Sequence, residues 1–307
     1  MAKNILIAGA TGLVGEQLIS KLLTYGYQVS ILSRKPNKEG VNPQVKVYLW
    51  DVYQQTIDYN ALNGIDTIIN LTGEGIADKP WTEERKRQII DSRVKAAALI
   101  FSAIKETNAN IESYVSASAV GIYGDRGDEI LEEDSLPGTG FMPQCCLEWE
   151  KAADQGIALG IRVVKIRIGI VLSRKGGALA TMEKPVKYFA GTALGSGQQW
   201  MPWIHLDDLV NLFVKAVEDQ NMFDAYNASA PSPVTNKTFT KTLGKILHRP
   251  TWPFNVPKFV LRALLGEMSI LPLISTNTSA QKILNTGFQF RYLNLEDALK
   301  AIYERKN

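Results

Sequence analysis

Six short apolar runs, each separated from the next by a helical or polar segment, constrain the fold of this chain more than any other feature. The runs lie at residues 4–10, 28–34, 44–50, 66–73, 112–119 and 161–172, and helical spacing of apolar residues is present at 13–26, 82–107 and 146–160. Strands that are apolar along nearly their whole length are buried on both faces, as in parallel sheets covered by helices. The alternation therefore predicts an α/β fold, a Rossmann-type doubly wound parallel sheet.

The sequence changes character after residue 172. Residues 173–199 are rich in glycine, and four prolines after residue 249 divide the last part of the chain into short pieces. We expect a first domain at 1–172, to which 200–228 returns, and a smaller C-terminal substrate lobe formed by 173–199 and 229–307. Ligand sites in doubly wound sheets lie at the carboxyl ends of the strands, which would face that lobe.

Composition and charge argue against several classes of protein. The 307 residues carry a net charge of only +3, which argues against nucleic acid as the main partner. No apolar stretch reaches the roughly 20 residues of a membrane span, and the first residues lead directly into a strand instead of a signal peptide. Two adjacent cysteines and two histidines are too few for a zinc site. We expect a cytoplasmic protein, monomer or homodimer, without metal, nucleic acid or membrane partner.

The segment AGATGLVG at residues 8–15 places Gly9, Gly12 and Gly15 between the first strand and the first helix. Glycines at this spacing allow a tight turn, close approach of the backbone to a pyrophosphate, and close packing of the helix on the strand. Three glycines in a loop often serve a turn alone, but the strand before and the helix after provide the context that a dinucleotide site requires. The loop predicts dinucleotide binding in the first domain.

The residues after the second strand distinguish between the two nicotinamide dinucleotides. An acidic residue there would bind the adenosine ribose hydroxyls of NAD, whereas the sequence has Ser33, Arg34 and Lys35. A guanidinium and a hydroxyl bind a 2′-phosphate that a carboxylate would repel, so NADP is the expected cofactor and the small-molecule substrate is unknown. Lys35 is interpreted as a solvated charge. Asp51, after the third strand, either accepts from the adenine amino group or caps a turn.

Several further segments carry a resemblance to a known family. The spaced glycines, NLTG at 70–73, SASAVGIYG at 116–124 and WEKAA at 149–153 resemble the extended branch of the short-chain dehydrogenase/reductase superfamily. Within it, the chain is similar to the subgroup labelled epimerase family protein, nucleoside-diphosphate-sugar epimerase or, in older usage, cell division inhibitor. The segments that carry this likeness span the chain: SRV at 92–94, RIGIVLSRKGGAL at 167–179, GSGQQWMPWIHLDDL at 195–209, NASAPSPVTN at 227–236, VPKFVLRALLGE at 256–267 and GFQFRYLNLEDAL at 287–299.

The resemblance implies positions for the cofactor contacts. It places one set of residues at the pyrophosphate, namely Gly9, Thr11, Gly12, Leu13, Val14 and Gly15. A second set would surround the rest of the cofactor: Ser33 and Arg34 at the 2′-phosphate, Leu71, Thr72 and Gly73 after the fourth strand, Gln88 and Arg93 on the long helix, and Val171 near the nicotinamide. Without the resemblance, Arg93 would be interpreted as a solvated helix charge.

The proton-transfer pair of the superfamily is missing from the sequence. Its members use a Tyr whose phenol pKa is lowered by a Lys four residues later, together with a Ser that positions the substrate oxygen. Ser118 occupies the serine position, but Met142 and Cys146 stand where the Tyr and Lys are expected. None of the eleven tyrosines is followed by a lysine four residues later, so no other register restores the pair.

Other side chains are candidates for the proton donor and for substrate contacts. Tyr123 follows Ser118 on the loop after the fifth strand, where it is either a proton donor or a pocket wall. Gln198 in the glycine-rich segment is either a substrate contact or a solvated amide. His205 either faces the cleft as an acid or base or stabilises a helix N-terminus, and Cys146 is interpreted as a buried apolar side chain.

Two functions fit these observations. The first is an NADP-dependent oxidoreductase or epimerase that acts on a small carbonyl or nucleotide-sugar-like substrate with an altered proton donor. The second is a non-catalytic NADP(H)-binding regulatory protein that engages a protein partner. The cofactor loop is compatible with both, while the glycine-rich segment 191–199 and the C-terminal lobe favour a small-molecule pocket. The first function is the expected one, although fold and kinship alone do not fix a reaction.

Overall fold

A computed structural model describes residues 3–36 and 42–304 of the chain. Its fourteen strands within these ranges are β1 (Asn4–Ala8), β2 (Gln28–Ser33), β3 (Lys46–Asp51), β4 (Thr56–Ile57), β5 (Thr67–Asn70), β6 (Ser113–Ala119), β7 (Ile130–Leu131), β8 (Arg162–Ile168), β9 (Ile170–Leu172), β10 (Trp200–Met201), β11 (Trp203–His205), β12 (Asp224–Ala228), β13 (Val234–Thr235) and β14 (Asn277–Thr278). The ten α-helices are α1 (Leu13–Thr24), α2 (Glu83–Thr107), α3 (Phe141–Asp154), α4 (Gly177–Lys187), α5 (Leu206–Glu218), α6 (Asn236–Ile246), α7 (Lys258–Leu265), α8 (Ile270–Leu273), α9 (Gln281–Asn285) and α10 (Leu295–Tyr303).

An eight-stranded sheet forms the centre of the protein, in the order β12-β8-β6-β5-β1-β2-β3-β4. Its strands pair in parallel except for the edge strand β4, which runs antiparallel to β3. The chain winds in one direction from β1 to β2 and β3, and in the other from β1 to β5 and β6. The predicted doubly wound parallel sheet is confirmed, and its crevice lies at the carboxyl end of β1, where the strand order reverses.

Both faces of the sheet are covered by helices, which explains the continuous apolar runs in the sequence. Along β1, Ile5 and Ile7 pack in the core on the side of α1 and α5, where Phe213 also lies. Leu6 and Ala8 face the opposite core, on the side of α2 and α3. Successive side chains of a strand point to opposite faces, so the buried residues Ile5, Leu6, Ile7 and Ala8 are all apolar.

The sixth predicted strand, 161–172, is two strands that belong to different sheets. β8 lies in the central sheet, and β9 pairs in parallel with β11. Gly169 separates them, and a Cβ at this position would be 2.4 Å from the Pro202 carbonyl oxygen. The chain therefore changes sheets at the point where another segment crosses it too closely for any side chain.

The helix predicted at 146–160 begins earlier and ends earlier than expected. It runs as α3 from Phe141 to Asp154, with a separate 3₁₀ turn at Ile157–Leu159. Pro143 lies in the first turn of α3, where its missing N–H leaves no hydrogen bond unmade. A proline at this position is compatible with a loop or with the first turn of a helix, and in the fold it lies in the helix.

The C-terminal half divides its apolar side chains between the central sheet and a second core. The second core lies among α4, α6 and α10 and contains Trp203, Phe239 and Leu299. β12 returns to the edge of the central sheet, and α5 packs beside α1. Ile283 and Phe288 come from the part of the chain that was expected in the C-terminal lobe, but they pack in the core under α1 and α5. No helix within the described ranges is long and apolar enough to cross a membrane.

Candidate functional site

A cleft of about 880 Å³ lies at the carboxyl ends of β1, β2, β3 and β5. Its walls combine the loop after β1, the residues after β2, the end of β3 and the loop after β5. The lining residues are Gly9, Thr11, Gly12, Leu32, Ser33, Arg34, Lys35, Trp50, Val52, Tyr53, Leu71, Thr72, Gly73, Glu74 and Ser92. Eight of the residues predicted to bind a cofactor are therefore neighbours in space, although they come from three separate parts of the sequence.

The three glycines after β1 differ in what each permits. Gly9 has a φ of +74° and approaches β5 so closely that a Cβ would be 2.6 Å from the Leu71 carbonyl carbon. A Cβ on Gly15 would be 2.4 Å from the Ala10 carbonyl oxygen, so this glycine lets α1 pack directly on the turn. Gly12 has an extended backbone, and a Cβ on it would meet no atom nearer than 3.8 Å. The fold does not require glycine at position 12, and a side chain there would occupy the cleft.

The residues that follow Gly12 form the start of α1. Leu13 and Val14 are half-buried and pack against the core rather than lining the cleft. A Cβ on Gly177 would be 3.7 Å from Leu13 Cδ2 and 3.9 Å from the Val171 carbonyl oxygen. The start of α1 therefore lies close to β9, which holds Val171. Backbone N–H groups at a helix N-terminus bind anions, and those of α1 begin at the cleft.

Thr72 has a polar group that the protein leaves unpaired. Its N–H donates to Asn70 Oδ1 over 3.0 Å, and the Asn70 amide donates in turn to the Tyr114 hydroxyl over 2.7 Å. The Thr72 hydroxyl oxygen is buried and has no hydrogen-bond partner within residues 3–36 and 42–304. An unpaired buried hydroxyl costs about 1–3 kcal/mol. Because Thr72 is a lining residue of the cleft, its hydroxyl is a candidate partner for a polar group of a ligand bound there.

The residues after β2 give one edge of the cleft a positive charge. Ser33 is buried, and its hydroxyl accepts from the Lys35 N–H over 3.1 Å. Arg34 is exposed and has no ion pair with any carboxylate in the part of the chain that the structure describes. Glu74, the acidic residue of the lining, is paired with Arg85 over 3.1 Å. The Arg34 guanidinium is thus available to an anionic ligand.

Several residues that line this cleft were not predicted from the sequence as cofactor contacts. Trp50 and Tyr53 line it where β3 ends, and Ser92 lines it from α2. Lys35, interpreted as a solvated charge, is also part of the lining. The carboxyl end of a third parallel strand is a position where ligand contacts are expected, and that rule points to the two aromatic residues. Asp51 caps the turn there, because its Oδ1 accepts from the N–H groups of residues 53 and 54 over 2.8 and 3.0 Å.

Arg93 lies behind the cleft rather than in its lining. A Cβ on Gly73 would be 2.8 Å from the Arg93 Cζ, so the guanidinium lies directly against the loop after β5. It donates to the Ile89 carbonyl oxygen over 2.7 Å and to that of Glu74 over 3.1 Å. The same group lies 4.7 Å from the ring centre of Trp149, and burial lowers its pKa. In this arrangement Arg93 supports the loop that carries Thr72.

Gln88, the other helix residue expected to reach a cofactor, contacts its own helix. Its amide donates to Glu84 Oε1 over 3.2 Å, and its oxygen accepts from Arg85 over 3.4 Å. Among the described lining residues of the cleft, α2 contributes Ser92 and not Gln88. The Ser92 hydroxyl accepts from the Glu74 N–H over 3.0 Å, which fixes the same loop.

A buried polar network lies where β6, β8 and β12 end. The Ser118 hydroxyl donates to Glu150 Oε1 over 2.6 Å, and Arg167 donates to both carboxylate oxygens of Glu150 over 2.8 and 2.9 Å. Arg167 also donates to the Tyr123 hydroxyl over 2.8 Å, and that hydroxyl donates to Asn227 Oδ1 over 2.7 Å. The network joins three strands of the sheet to α3 and satisfies each of these polar groups inside the protein.

The network does not fit the catalytic roles predicted for Tyr123 and Ser118. Tyr123 is 0% exposed and Ser118 is 1% exposed, so neither hydroxyl reaches a solvent-accessible ligand. Burial raises the pKa of Tyr123 to about 12 despite the neighbouring Arg167. A proton donor needs a pKa near the working pH and a free path to the substrate, and Tyr123 has neither.

Met142 and Cys146, at the positions expected for the Tyr and Lys, lie together against the 3₁₀ turn Val120–Tyr123. A Cβ on Gly121 would be 3.0 Å from Met142 Cε and 3.6 Å from Cys146 Sγ. Cys146 is buried, and burial raises the pKa of its thiol, in agreement with an apolar role. Met142 lines a second cavity, of about 500 Å³, together with Trp81, Gly124, Asp125, Arg126, Pro137, Gly138, Thr139, Gly140, Phe141, Pro143, Ile270 and Ile274.

The two predicted substrate contacts line neither the cleft nor this second cavity. Gln198 lies exposed on the glycine-rich loop, with its N–H donating to the Ser196 hydroxyl over 3.2 Å. His205 is buried at the N-terminus of α5, where its Nδ1 accepts from the Asp207 N–H over 3.0 Å. Its ring centre lies 4.1 Å from that of Tyr292. His205 therefore caps the N-terminus of α5, which is the structural one of the two roles considered for it from the sequence.

Sequence comparisons identify relatives that cover nearly the whole length of the chain. Residues 5–144 match the NAD dependent epimerase/dehydratase family, and residues 256–302 match a domain of unknown function, DUF1731. The epimerase family protein YfhF of Bacillus subtilis is 36% identical, with 99% of each chain covered. The chloroplastic epimerase family protein SDR39U1 homolog of Arabidopsis thaliana is 35% identical, with 98% of this chain and 87% of the relative covered.

Solved structures show the same fold over the whole chain. The human epimerase family protein SDR39U1, isoform 2, crystallised with NADPH, superposes with a TM-score of 0.86 at 29% identity, covering 99% of this chain and 100% of its own. The nucleoside-diphosphate sugar epimerase of Corynebacterium glutamicum has a TM-score of 0.80 at 31% identity, covering 99% of this chain and 58% of its own. No group of side chains suited to a metal ion is present within the described ranges.

Proposed function

This chain belongs to the family of epimerase family proteins, and on that premise we propose that it binds NADP(H) in the cleft and acts as an oxidoreductase or epimerase on a small carbonyl or nucleotide-sugar-like substrate. The observation that carries the proposal is the combination of three features in the residues that line one cleft. These are the open space over Gly12, the Thr72 hydroxyl that has no partner within the described ranges, and the exposed Arg34 guanidinium that forms no ion pair there. The human relative crystallised with NADPH supports the same cofactor.

Each group has a distinct part in holding the dinucleotide. The open backbone at Gly12 and the N-terminus of α1 receive the pyrophosphate, because no side chain stands between them and the cleft. Arg34, with the Ser33 hydroxyl beside it, binds the 2′-phosphate that distinguishes NADP from NAD. The Thr72 hydroxyl pairs with a polar group of the bound dinucleotide. When bound, NADP(H) supplies or accepts the hydride of the reaction.

The protein's own residues must supply the proton without the usual Tyr and Lys. Met142 and Cys146 cannot exchange a proton near neutral pH, since one is a thioether and burial raises the thiol pKa of the other. Tyr123 and Ser118 are committed to the buried network. We infer that the proton comes from solvent or from the substrate itself, and that turnover is slow. Loss of positioned acid–base help costs about 10²–10⁴-fold in rate.

Calorimetric titration of the native protein with NADPH and with NADH tests the proposed cofactor. A charge-assisted contact contributes about 1.5–3 kcal/mol, so NADPH is expected to bind roughly ten- to hundredfold more tightly. Equal affinity for the two dinucleotides would contradict the assignment of Arg34. Oxidation of NADPH in the presence of a panel of carbonyl compounds tests the reaction, and tight NADPH binding without turnover of any carbonyl would contradict the catalytic part.

A further inference from the structure

We propose that the cavity beside Met142 takes an uncharged, largely apolar carbonyl compound and excludes nucleoside-diphosphate sugars. The inference rests on the proposed function, because it assumes that this cavity holds the substrate of an NADP(H)-dependent reaction. It narrows that function by choosing one of two substrate classes. The choice follows from the walls of the cavity, from the charges around it, and from the way the C-terminal lobe closes it.

The walls of the cavity are predominantly apolar. Trp81 and Phe141 meet edge to face with their ring centres 4.8 Å apart, and Met142 continues the same wall along α3. The indole N–H of Trp81 donates to the Ile76 carbonyl oxygen over 2.8 Å, so the polar atom of this side chain is already paired. Apolar walls with few polar groups are typical of pockets that bind small organic molecules.

The C-terminal lobe supplies the opposite wall and is fixed to the loop after β6. The Ser275 N–H donates to Asp125 Oδ1 over 3.1 Å, and the Arg126 N–H donates to the Ser275 carbonyl oxygen over 3.0 Å. These bonds hold Ile270 and Ile274 at the cavity. Its volume of about 500 Å³ lies within the range of roughly 300–1,000 Å³ that ligand pockets occupy.

The charged groups of the cavity offer nothing to a diphosphate. Arg126 is its cationic lining residue, and two of its nitrogens donate to the two carboxylate oxygens of Glu129 over 2.9 and 2.7 Å. Its remaining terminal nitrogen donates to the Leu136 carbonyl oxygen over 2.7 Å. Asp125 adds a negative charge to the same wall. A pyrophosphate is bound most strongly by unpaired cations, and none of the charged side chains that line the cavity supplies one.

The ammonium group of Lys86, which lies near Phe141, is also neutralised. Lys86 Nζ lies 5.9 Å from the ring centre of Phe141 and pairs with Glu83 over 2.9 Å and Glu267 over 2.6 Å. The loop 71–82 connects this cavity to the cofactor cleft, since Leu71 lines the cleft at one end of the loop and Trp81 lines the cavity near the other. Met142, at the position expected for the Tyr of the superfamily, lines the cavity, and this position is the reason for assigning the substrate to it. A neutral carbonyl compound needs no charge partner there.

Binding to the NADP⁺-saturated protein, measured by calorimetry, tests the choice. The probes are 4-phenyl-2-butanone, an uncharged aryl ketone, and UDP-glucose. The ketone is expected to bind at least about tenfold more tightly than UDP-glucose. UDP-glucose affinity equal to or above that of the ketone would overturn the inference. If the native protein fails to bind NADP⁺ at all, the proposed function fails instead, and the two failures are distinguishable in one titration series.

Two variants locate the effect in the cavity. Ile270→Glu places a carboxylate in the apolar wall at a side chain that is 42% exposed, and it should weaken ketone binding at least about tenfold without altering NADP⁺ binding. Ile157→Glu makes the same change at a 60% exposed position outside the cavity and should have no effect. Ketone binding unchanged in Ile270→Glu would overturn the assignment of the cavity.

The reciprocal variant tests the charge argument directly. Glu129→Gln removes the carboxylate that neutralises Arg126 and keeps one side-chain oxygen as an acceptor. One of the two hydrogen bonds from Arg126 is lost, because the amide nitrogen is a donor. UDP-glucose affinity should rise by roughly three- to tenfold, because one unpaired guanidinium then faces the cavity. An unchanged UDP-glucose affinity in this variant would show that the paired charge is not what excludes the diphosphate.

Discussion

The cofactor cleft and the buried network lie at the same edge of the sheet but treat their polar groups in opposite ways. In the cleft, the hydroxyl of Thr72 and the guanidinium of Arg34 have no partner in the described part of the chain. In the network, Ser118 and Arg167 both donate to Glu150, over 2.6 and 2.8 Å, and Arg167 also donates to the Tyr123 hydroxyl over 2.8 Å. The paired groups of the network stabilise the fold, whereas the two groups of the cleft are available to a ligand.

The difference teaches that proximity to the carboxyl ends of the strands is not sufficient evidence for catalysis. Strands β6, β8 and β12 end at this edge as β1 and β5 do, yet the charges between them are neutralised internally. Arg167 and Glu150 are 10% and 8% exposed and form a bidentate pair. A pair of this kind costs desolvation on both sides, and it is retained because each partner satisfies the other.

Arg167→Met should have the largest effect and act on stability alone. It leaves the Glu150 carboxylate buried without its partner and removes a donor from Tyr123, which should cost about 3–5 kcal/mol in the free energy of unfolding. The measurement is denaturant unfolding, followed by NADPH titration of the folded fraction. A variant as stable as the native protein, or one that is fully folded but no longer binds NADPH, would contradict the structural role.

Gly12→Val should act on binding alone. Its extended backbone accepts valine, and the Cβ meets no protein atom nearer than 3.8 Å, so the fold should persist. The side chain would fill the space above the helix N-terminus and weaken NADPH binding at least about a hundredfold, or about 2.7 kcal/mol. Gly15→Val is the contrasting control, since its Cβ would clash with Ala10 and should lower stability. Native-like NADPH affinity in Gly12→Val would show that the loop is only a turn.

Arg34→Asp should reverse the preference between the two dinucleotides. It removes a charge-assisted contact with the 2′-phosphate worth about 1.5–3 kcal/mol and places a carboxylate where ribose hydroxyls would bind. Arg249→Asp changes the net charge equally on the C-terminal lobe, outside the cleft, and should leave both affinities unchanged. The two affinities are measured by calorimetry, and an unaltered preference for NADPH in Arg34→Asp would refute the assignment.

Tyr123→Phe should have the smallest effect, about 1–2 kcal/mol of stability, because Asn227 Oδ1 loses its donor. Since burial raises the pKa of Tyr123 to about 12, the phenol stays neutral in both states below about pH 9. The stability difference from the native protein should be constant from about pH 6 to 9 and shrink as the pH rises from about 10 towards 12. Carbonyl turnover lost in this variant at full stability would identify Tyr123 as the proton donor after all.

Much of the fold could be predicted because the sequence repeats a simple physical requirement. Strands buried on both faces need mostly apolar residues, so β1, β2 and β5 are visible as nearly continuous apolar runs. The point where one run becomes two strands is not visible, because Gly169 is required by the carbonyl of Pro202, which comes from a distant segment. The start of α3 was missed for a local reason, since Pro143 is compatible with a loop and with the first turn of a helix.

The cofactor site could be predicted in outline because its chemistry depends on residues at fixed distances along the chain. The spacing of Gly9, Gly12 and Gly15 and the basic residue after β2 determined by themselves that a dinucleotide with a 2′-phosphate is the expected ligand. Only the tertiary structure placed Tyr123 in a buried hydrogen-bond network, because its partner Asn227 lies 104 residues away in sequence. Sequence spacing fixes which groups a turn presents, whereas the pairing or availability of a buried polar group depends on neighbours that only folding brings together.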